Sequence, residues 1–255
     1  MPVCLKFAKL LIIGILIAFV ALISTSNAAD SKSQWPTTFD SGPEQCKFVA
    51  LTFDDAPSPD VGDLLSILDD LNVEATFFIL GEFAEMRPLL FCSIVDAGHE
   101  IGNHSFSHPD MTLIDDDAVA NELESTNEFI TRKTGIIPHL FRPPGGNYDS
   151  RLIDWAYSHQ MTTVLWTVNT YDYQDPSPDE IVRQVVNNIH SGAVILMHDG
   201  VDNTRQALPI IVEELRQDGY SFVTVGDLID MTYGECPWPA ADKQWCEEPD
   251  IVDFL

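Results

Sequence analysis

From residue 46 onward, short apolar runs alternate with segments whose apolar residues recur at three- and four-residue spacing. The run at 48–53 predicts a buried strand, and the spacing through 60–70 predicts a helix directly after it. The same alternation continues to the end of the domain. The predicted strands are 48–53, 75–80, 99–102, 139–142, 162–168, 193–197 and 221–225, and the predicted helices are 60–70, 88–97, 115–134, 149–158, 177–190, 204–217 and one that begins at 226.

Strands that alternate with helices in this way form parallel sheets, because a helix carries the chain back between consecutive strands. The alternation fits either an open doubly wound sheet or a closed barrel. Polar residues follow nearly every predicted strand, and in a barrel the loops after the strands all open on one face, where active sites are built. We therefore predict one α/β barrel domain over residues 46–231, which has no composition break inside it.

The two ends of the chain differ from this domain. Lys6 and Lys9 precede an apolar run that ends near residue 23 and is followed by small residues, so 1–28 is typical of a secretory signal peptide. The alternative is an uncleaved membrane anchor, but the run is short for a membrane span. Residues 29–45 are predicted as a polar lead-in and 232–255 as an irregular tail. We expect a secreted monomer, extracellular or periplasmic, without a stable membrane anchor.

Cysteine content and charge agree with an exported protein. Four cysteines remain after the predicted cleavage, and their even number predicts disulfides with three possible pairings among Cys46, Cys92, Cys236 and Cys246. The formal net charge is −27. Such acidity argues against nucleic acid or an anionic membrane as the partner.

His104 and His108 stand four residues apart, directly after a predicted strand. One helical turn would bring both imidazoles to the same side for a metal ion, although surface helices also carry such pairs by chance. Asp54 and Asp55 follow the first strand, and His198 ends the sixth. Two histidines with one carboxylate form a ligand set of catalytic zinc sites, and the second carboxylate would be free to act as a general base. With His198 as the proton donor, this set predicts hydrolysis of an amide or ester.

Four ordered motifs resemble those of the polysaccharide deacetylases, carbohydrate esterase family four. They are Thr52-Phe53-Asp54-Asp55-Ala56-Pro57, His104-Ser105-Phe106-Ser107-His108, Arg142-Pro143-Pro144-Gly145-Gly146-Asn147-Tyr148 and Leu196-Met197-His198-Asp199. The resemblance covers about 46–230. It implies a distorted (β/α)7 barrel with parallel strands. It also implies attack of water on the N-acetyl groups of an N-acetylglucosamine polysaccharide, chitin-like or peptidoglycan, which releases acetate and a free amine.

The resemblance also implies a role for individual residues of this chain. Asp54 would be the catalytic base, oriented by Arg142, and His198 the catalytic acid. The metal ligands, for a divalent ion that is usually zinc in this family, would be Asp55, His104 and His108. The substrate-binding residues would be Gly145 through its backbone N–H at the oxyanion, Leu196 at the acetyl methyl group, Asn169, and Tyr148 and Tyr173, which we expect to stack on sugar rings.

One motif departs from the family pattern at Asn169, where the family has Asp. That Asp normally pairs with Arg142 and tunes the acid histidine. An amide removes the negative charge, which should lower the pKa of His198 unless Asp172 or Asp199 compensates. We expect activity to persist with an altered pH profile.

Two other functions are compatible with these residues. One is an ester deacetylase that acts on acetylated xylan, and the other is a non-catalytic carbohydrate-binding relative. Retention of Asp54, of His198 and of all three expected ligands argues against the binding protein, because binding alone needs none of them. Asn103 begins a formal glycosylation sequon, which we reject because a glycan there would bury the metal site.

Overall fold

A computed structural model describes residues 35–233 of the chain. The strands are β1 (Thr38–Phe39), β2 (Phe48–Ala56), β3 (Thr76–Ile79), β4 (Glu100–Asn103), β5 (Leu140–Phe141), β6 (Thr162–Val164), β7 (Val168–Asn169), β8 (Val194–His198) and β9 (Ser221–Phe222). The helices are α1 (Val61–Asp70), α2 (Gly81–Met86), α3 (Pro88–Asp96), α4 (Asp116–Thr134), α5 (Ser150–Ser158), α6 (Pro178–Asn188), α7 (Asp202–Gln217) and α8 (Val225–Tyr233).

The order of the strands distinguishes the barrel from the open doubly wound sheet. Neighbouring strands in the sheet run β1-β6-β5-β4-β3-β2-β8-β7, and every pair of named strands is parallel. From β2 to β6 the strands therefore follow chain order without the reversal that defines a doubly wound sheet. The sheet curls into a barrel because β8 pairs with β2, while β6 and β7, which do not pair with each other, belong to one stretch of chain. The predicted barrel is confirmed, and it is distorted at the junction between β6 and β7.

This distortion corrects the prediction of one strand at 162–168. β6 pairs with β5, whereas β7 pairs with β8 on the other side of the junction. At the break, the Leu165 amide donates to the Phe39 carbonyl and the Thr167 amide donates to Val194. The lead-in thus contributes β1 to the sheet, which its polar composition did not predict. The short helix α2 was also missed, because it lies between two predicted elements.

Strand β2 shows how the fold separates core from site. It is almost entirely buried, and alternate side chains point to opposite faces. Val49, Leu51 and Phe53 pack in one apolar cluster with residues of α1 and α7. The residues between them face the barrel interior, where apolar Ala50 belongs to a second cluster and Asp54 lies near the end of the strand. The alternation therefore carries Asp54 into the barrel beside the opening made by the following loops.

Helix α4 is the longest helix of the described residues and has both of its predicted ends. The Asp115 side chain accepts a hydrogen bond from the Ala118 amide, and Gly135 ends the helix with φ of 75°. Asp116 and Asp117 lie in its first turn, and two basic residues lie in its last turn. At these positions each charge interacts favourably with the helix dipole.

None of the helices within 35–233 has the length and apolar character needed to cross a bilayer. The predicted signal peptide, most of the C-terminal tail, and Cys236 and Cys246 lie outside the described residues. The signal peptide and the disulfide pairings therefore stay predictions.

Candidate active site

Asp54 and Arg142 form a buried ion pair inside the barrel. Arg142 follows β5 and is fully buried, and its Nη1 donates to Asp54 Oδ1 at 2.8 Å and to Thr52 Oγ1 at 2.7 Å. Its Nη2 donates to the Leu165 carbonyl at 3.1 Å, and its guanidinium lies 4.1 Å from the centre of the Phe78 ring. These contacts fix one position for the guanidinium, which in turn fixes the orientation of the Asp54 carboxylate.

Asp55, His104 and His108 come together beside this pair. One potential ligand atom from each lies within 4.8 Å of the others, and Nε2 of each histidine lies 3.6 Å from Asp55 Oδ1. His104 Nδ1 lies 2.8 Å from the Arg142 carbonyl oxygen. Because a carbonyl can only accept, Nδ1 carries the proton and leaves the Nε2 lone pair available for a metal ion. Burial lowers the pKa of His104, more than its acidic neighbours raise it, and so favours the neutral imidazole that a metal requires.

An unpartnered carboxylate oxygen indicates that these three residues fit a divalent cation. Asp55 Oδ1 is buried and has no hydrogen-bond partner among the described residues. A buried carboxylate oxygen without a partner is costly, and a cation at the centre of the three ligands would satisfy it. One carboxylate with two imidazoles matches the donor set that zinc takes in catalytic sites.

The loop that carries the histidines differs from the predicted helical turn. Residues 104–108 are not helical, and Ser105 and His108 have φ of 71° and 62°. The Ser105 amide donates to Asn103 Oδ1, and the His108 amide donates to Ser105 Oγ. These side-chain acceptors replace the carbonyls of a helix, and the two imidazoles converge by loop geometry instead of helical spacing.

His198 stands opposite Asp54, because the two residues are paired across β8 and β2. Its Nδ1 lies 2.7 Å from Asp172 Oδ1, and its backbone amide donates to Asp172 Oδ2 at 2.8 Å. Thr204 Oγ1 donates to the same oxygen. Burial lowers the pKa of His198, but the hydrogen bond and charge of Asp172, together with the nearby Asp54 charge, outweigh burial, so the pKa lies above its ordinary value.

Of the two outcomes expected for Asn169, the structure supports compensation by Asp172. Asn169 ends β7, and its Oδ1 accepts a hydrogen bond from the Tyr171 amide. Asp172 supplies the negative charge instead, and the pKa of His198 is raised, not lowered. Asp199, the other possible source, accepts from the backbone amide and hydroxyl of Ser58.

The residues expected to bind substrate lie on several elements around this centre. Gly145 is exposed, with φ of 64°, in a 3-10 turn just after Arg142. Leu196 is buried on β8, two residues before His198. Tyr148 is exposed on the loop after Gly145, and the exposed ring of Tyr173 lies 5.5 Å from the ring of His198. Asn103 is fully buried, which is a second reason, besides the neighbouring ligand set, to reject the glycosylation sequon.

Sequence reasoning missed two supports of this site. Thr52 accepts from Arg142 and donates to the Ile195 carbonyl. Its position two residues before Asp54, on the same face of a strand, was the available signal. Glu122 binds the histidine loop from α4, and its separation from His104 along the chain left no local signal.

Comparisons with known proteins identify the family to which the chain is related. The sequence pattern of the polysaccharide deacetylase family matches residues 41–164. The chain is 40% identical over 169 residues to the uncharacterized protein YlxY of Bacillus subtilis. The aligned region covers 66% of this chain and 53% of that protein. The chain thus spans about half of that relative. It is 36% identical to a peptidoglycan-N-acetylglucosamine deacetylase of Bacillus cereus, over 73% of this chain and 90% of that protein.

Solved structures give the same fold. The Bc1960 peptidoglycan N-acetylglucosamine deacetylase superposes with a TM-score of 0.74 at 35% identity, over 78% of this chain and 95% of that one. BA3943 from Bacillus anthracis, a family 4 carbohydrate esterase pseudoenzyme, superposes with a TM-score of 0.73 at 34% identity, over 76% of this chain and 69% of that one. This chain therefore belongs to the polysaccharide deacetylase family and has the fold of its carbohydrate esterase family 4 members.

Proposed function

We propose that this chain is an exported, divalent-metal-dependent hydrolase that removes N-acetyl groups from an N-acetylglucosamine-containing polysaccharide, either peptidoglycan or a chitin-like polymer. The observation that carries the proposal is that the potential metal ligands, the proposed base Asp54 and the proposed acid His198 lie close together. Three potential ligands lie beside a carboxylate held by Arg142, and this carboxylate is paired across two strands with an imidazole held by Asp172. Zinc is the metal that this donor set favours.

A cation held by Asp55, His104 and His108 would polarise the substrate carbonyl and lower the pKa of an adjacent water molecule. Asp54 takes the proton from the attacking water. Its Oδ1 is held by Arg142, while its Oδ2 lies 3.6 Å from His104 Nε2 and so faces the ligand set. Asp54 is thus a base fixed in position next to the reacting carbon.

His198 acts on the other side of the tetrahedral intermediate. With its pKa raised by Asp172, the imidazole keeps its proton at higher pH and donates it to the leaving nitrogen. The C–N bond then breaks, and acetate and a free amine are released. Gly145 is positioned on an exposed turn after Arg142, where its backbone N–H is proposed to donate to the oxyanion.

A non-catalytic role is the second candidate, since the fold neighbours include the pseudoenzyme BA3943. Against it, this chain keeps Asp54 and His198, and each is held by a buried, oppositely charged partner. Orienting a base and an acid in this way serves proton transfer and adds nothing to sugar binding.

Acetate release separates the candidates. The purified chain is assayed on chitin oligomers, peptidoglycan and acetylxylan, before and after treatment with a chelator and after Zn²⁺ is restored. We expect release from an N-acetylated substrate that chelator abolishes and Zn²⁺ recovers. Release from acetylxylan alone would indicate the ester deacetylase, and no release from any substrate by metal-loaded protein would indicate the binding protein.

The Asp54→Asn variant tests the roles of the two adjacent carboxylates. It should lose turnover but retain metal, because Asp55 and both histidines remain. Loss of the metal in this variant would contradict the assignment of Asp54 as base.

A further inference from the structure

The loop that carries His104 and His108 depends on contacts from outside itself. Ser105 and His108 both have positive φ, a region that residues other than glycine rarely adopt. Such a conformation persists only when the surrounding structure holds it in place. The position of both imidazoles therefore depends on whatever binds the backbone between them.

A single carboxylate binds the middle of this loop. The backbone amides of Phe106 and Ser107 both donate to Glu122 Oε2 at 2.8 Å, and Ser107 Oγ donates to Glu122 Oε1 at 2.7 Å. Glu122 is half-buried on α4. Both of its oxygens are thus engaged by two consecutive loop residues, and hydrogen bonds to an ionised acceptor are stronger than neutral ones.

The opposite side of the loop is held by α2. The amide of Gly81 donates to the Ser105 carbonyl and that of Glu82 to the Phe106 carbonyl, each at 3.0 Å. A Cβ at Gly81 would collide with the Phe106 ring and with Thr126 of α4. The loop is therefore clamped between α2 and α4, and Glu122 is the charged contact on the α4 side.

We propose that Glu122 is a positioning residue for the metal site, which acts through the loop backbone and fixes the distance and direction of His104 and His108. The inference rests on the proposed function, because it takes these histidines as metal ligands. Without the carboxylate, the two amides lose their acceptor and the strained loop samples other conformations. Removing a group that orients metal ligands typically weakens metal affinity about 10- to 100-fold.

The experiment compares the parent chain with Glu122→Ala, Glu122→Gln and Glu124→Ala. Glu124 is an exposed acid of the same helix, so its variant controls for charge and helix propensity. Zn²⁺ dissociation constants are measured by competition with a chromophoric chelator, and amide hydrogen exchange over 104–108 is followed in the metal-free chain. We expect Glu122→Ala to weaken Zn²⁺ binding about 10- to 100-fold and to accelerate exchange of the loop amides, while Glu124→Ala matches the parent. Glu122→Gln should recover much of the affinity, because its amide oxygen can still accept both loop amides.

Two outcomes would overturn the role of Glu122, and they differ from failure of the proposed function. If the parent binds Zn²⁺ and Glu122→Ala binds it within about twofold, the residue does not position the ligands. If loop exchange in Glu122→Ala is unchanged, Glu122 does not order the loop. A parent chain that binds no Zn²⁺ overturns the metal-dependent function itself, and the ligand-positioning role falls with it.

Discussion

Replacement of Asp172 by asparagine tests how this chain keeps His198, the proposed catalytic acid, protonated. Asp172 is buried and accepts three hydrogen bonds, two from His198 and one from Thr204. A hydrogen bond to a charged group contributes about 1.5–3 kcal/mol. About 1.4 kcal/mol corresponds to a tenfold change. At pH values above the pKa of His198, the fraction of molecules with a protonated His198 should therefore be about 10- to 100-fold smaller in the variant than in the parent.

The sign follows from the direction of the shift. Asp172 raises the pKa of His198, and a general acid is active only while it holds its proton. Activity therefore falls as pH rises through that pKa. Loss of the Asp172 charge lowers the pKa, so the alkaline limb of the pH profile should move to lower pH.

The assay is the pH dependence of kcat/KM for acetate release, with Zn²⁺ affinity measured in parallel. Asp175→Asn is the matched control, because Asp175 ends the same turn but is exposed and accepts a hydrogen bond from Asn203 instead of His198. A profile of Asp172→Asn that superimposes on that of the parent would refute the reasoning. An equal loss of Zn²⁺ affinity would show that the effect arises from the metal site instead.

Three further changes have defined outcomes. Asn169→Asp should move the alkaline limb less than Asp172→Asn does, because Asn169 accepts from the Tyr171 amide whereas Asp172 bonds His198 directly. A larger displacement in the same assay would contradict this. Arg142→Met should lower the free energy of unfolding in urea by about 3–5 kcal/mol, because it leaves the buried Asp54 charge without its partner. A smaller decrease would contradict the dependence of that charge on Arg142. For Glu100, burial raises the pKa from 4.5 to about 7, so the parent should lose on the order of 3 kcal/mol of stability as pH rises from about 4.5 through 7. Glu100→Gln should flatten that dependence, and equal slopes for the two proteins would contradict the assignment.

The direction of the Glu100 effect follows from linkage. A carboxyl whose pKa is higher in the folded than in the unfolded chain binds its proton more tightly when folded. Its stabilisation is complete below the unfolded pKa and disappears above the folded one. Glu100 accepts hydrogen bonds from the Gly226 amide at the start of α8, and urea unfolding at a series of pH values measures how its protonation affects stability.

Prediction from sequence was least successful where side-chain hydrogen bonds and strand pairing set the backbone conformation. The four-residue spacing of His104 and His108 predicted a helical turn, but Asn103 and Ser105 supply acceptors that compete with helix formation. The stretch at 162–168 is typical of one strand because it consists of β-branched, aromatic and apolar residues without a glycine, proline or charge. Only its neighbours reveal the break, since β6 and β7 pair with strands on different sides of the junction.

The sequence by itself determined the alternation of strands and helices and the capped helix α4, and its motifs predicted the residues of the proposed metal and acid–base set. These follow from local rules: the two-residue period of a strand, the hydrogen bonds at helix ends, and motifs in which ligands are close along the chain. The tertiary structure decided which carboxylate binds His198 and which carboxylate binds the loop of His104 and His108. Asp172, and not Asn169, reaches His198, while Glu122 reaches the histidine loop from α4. Both pairings depend on how distant elements pack around the barrel opening, and neither sequence separation nor residue type specifies that packing.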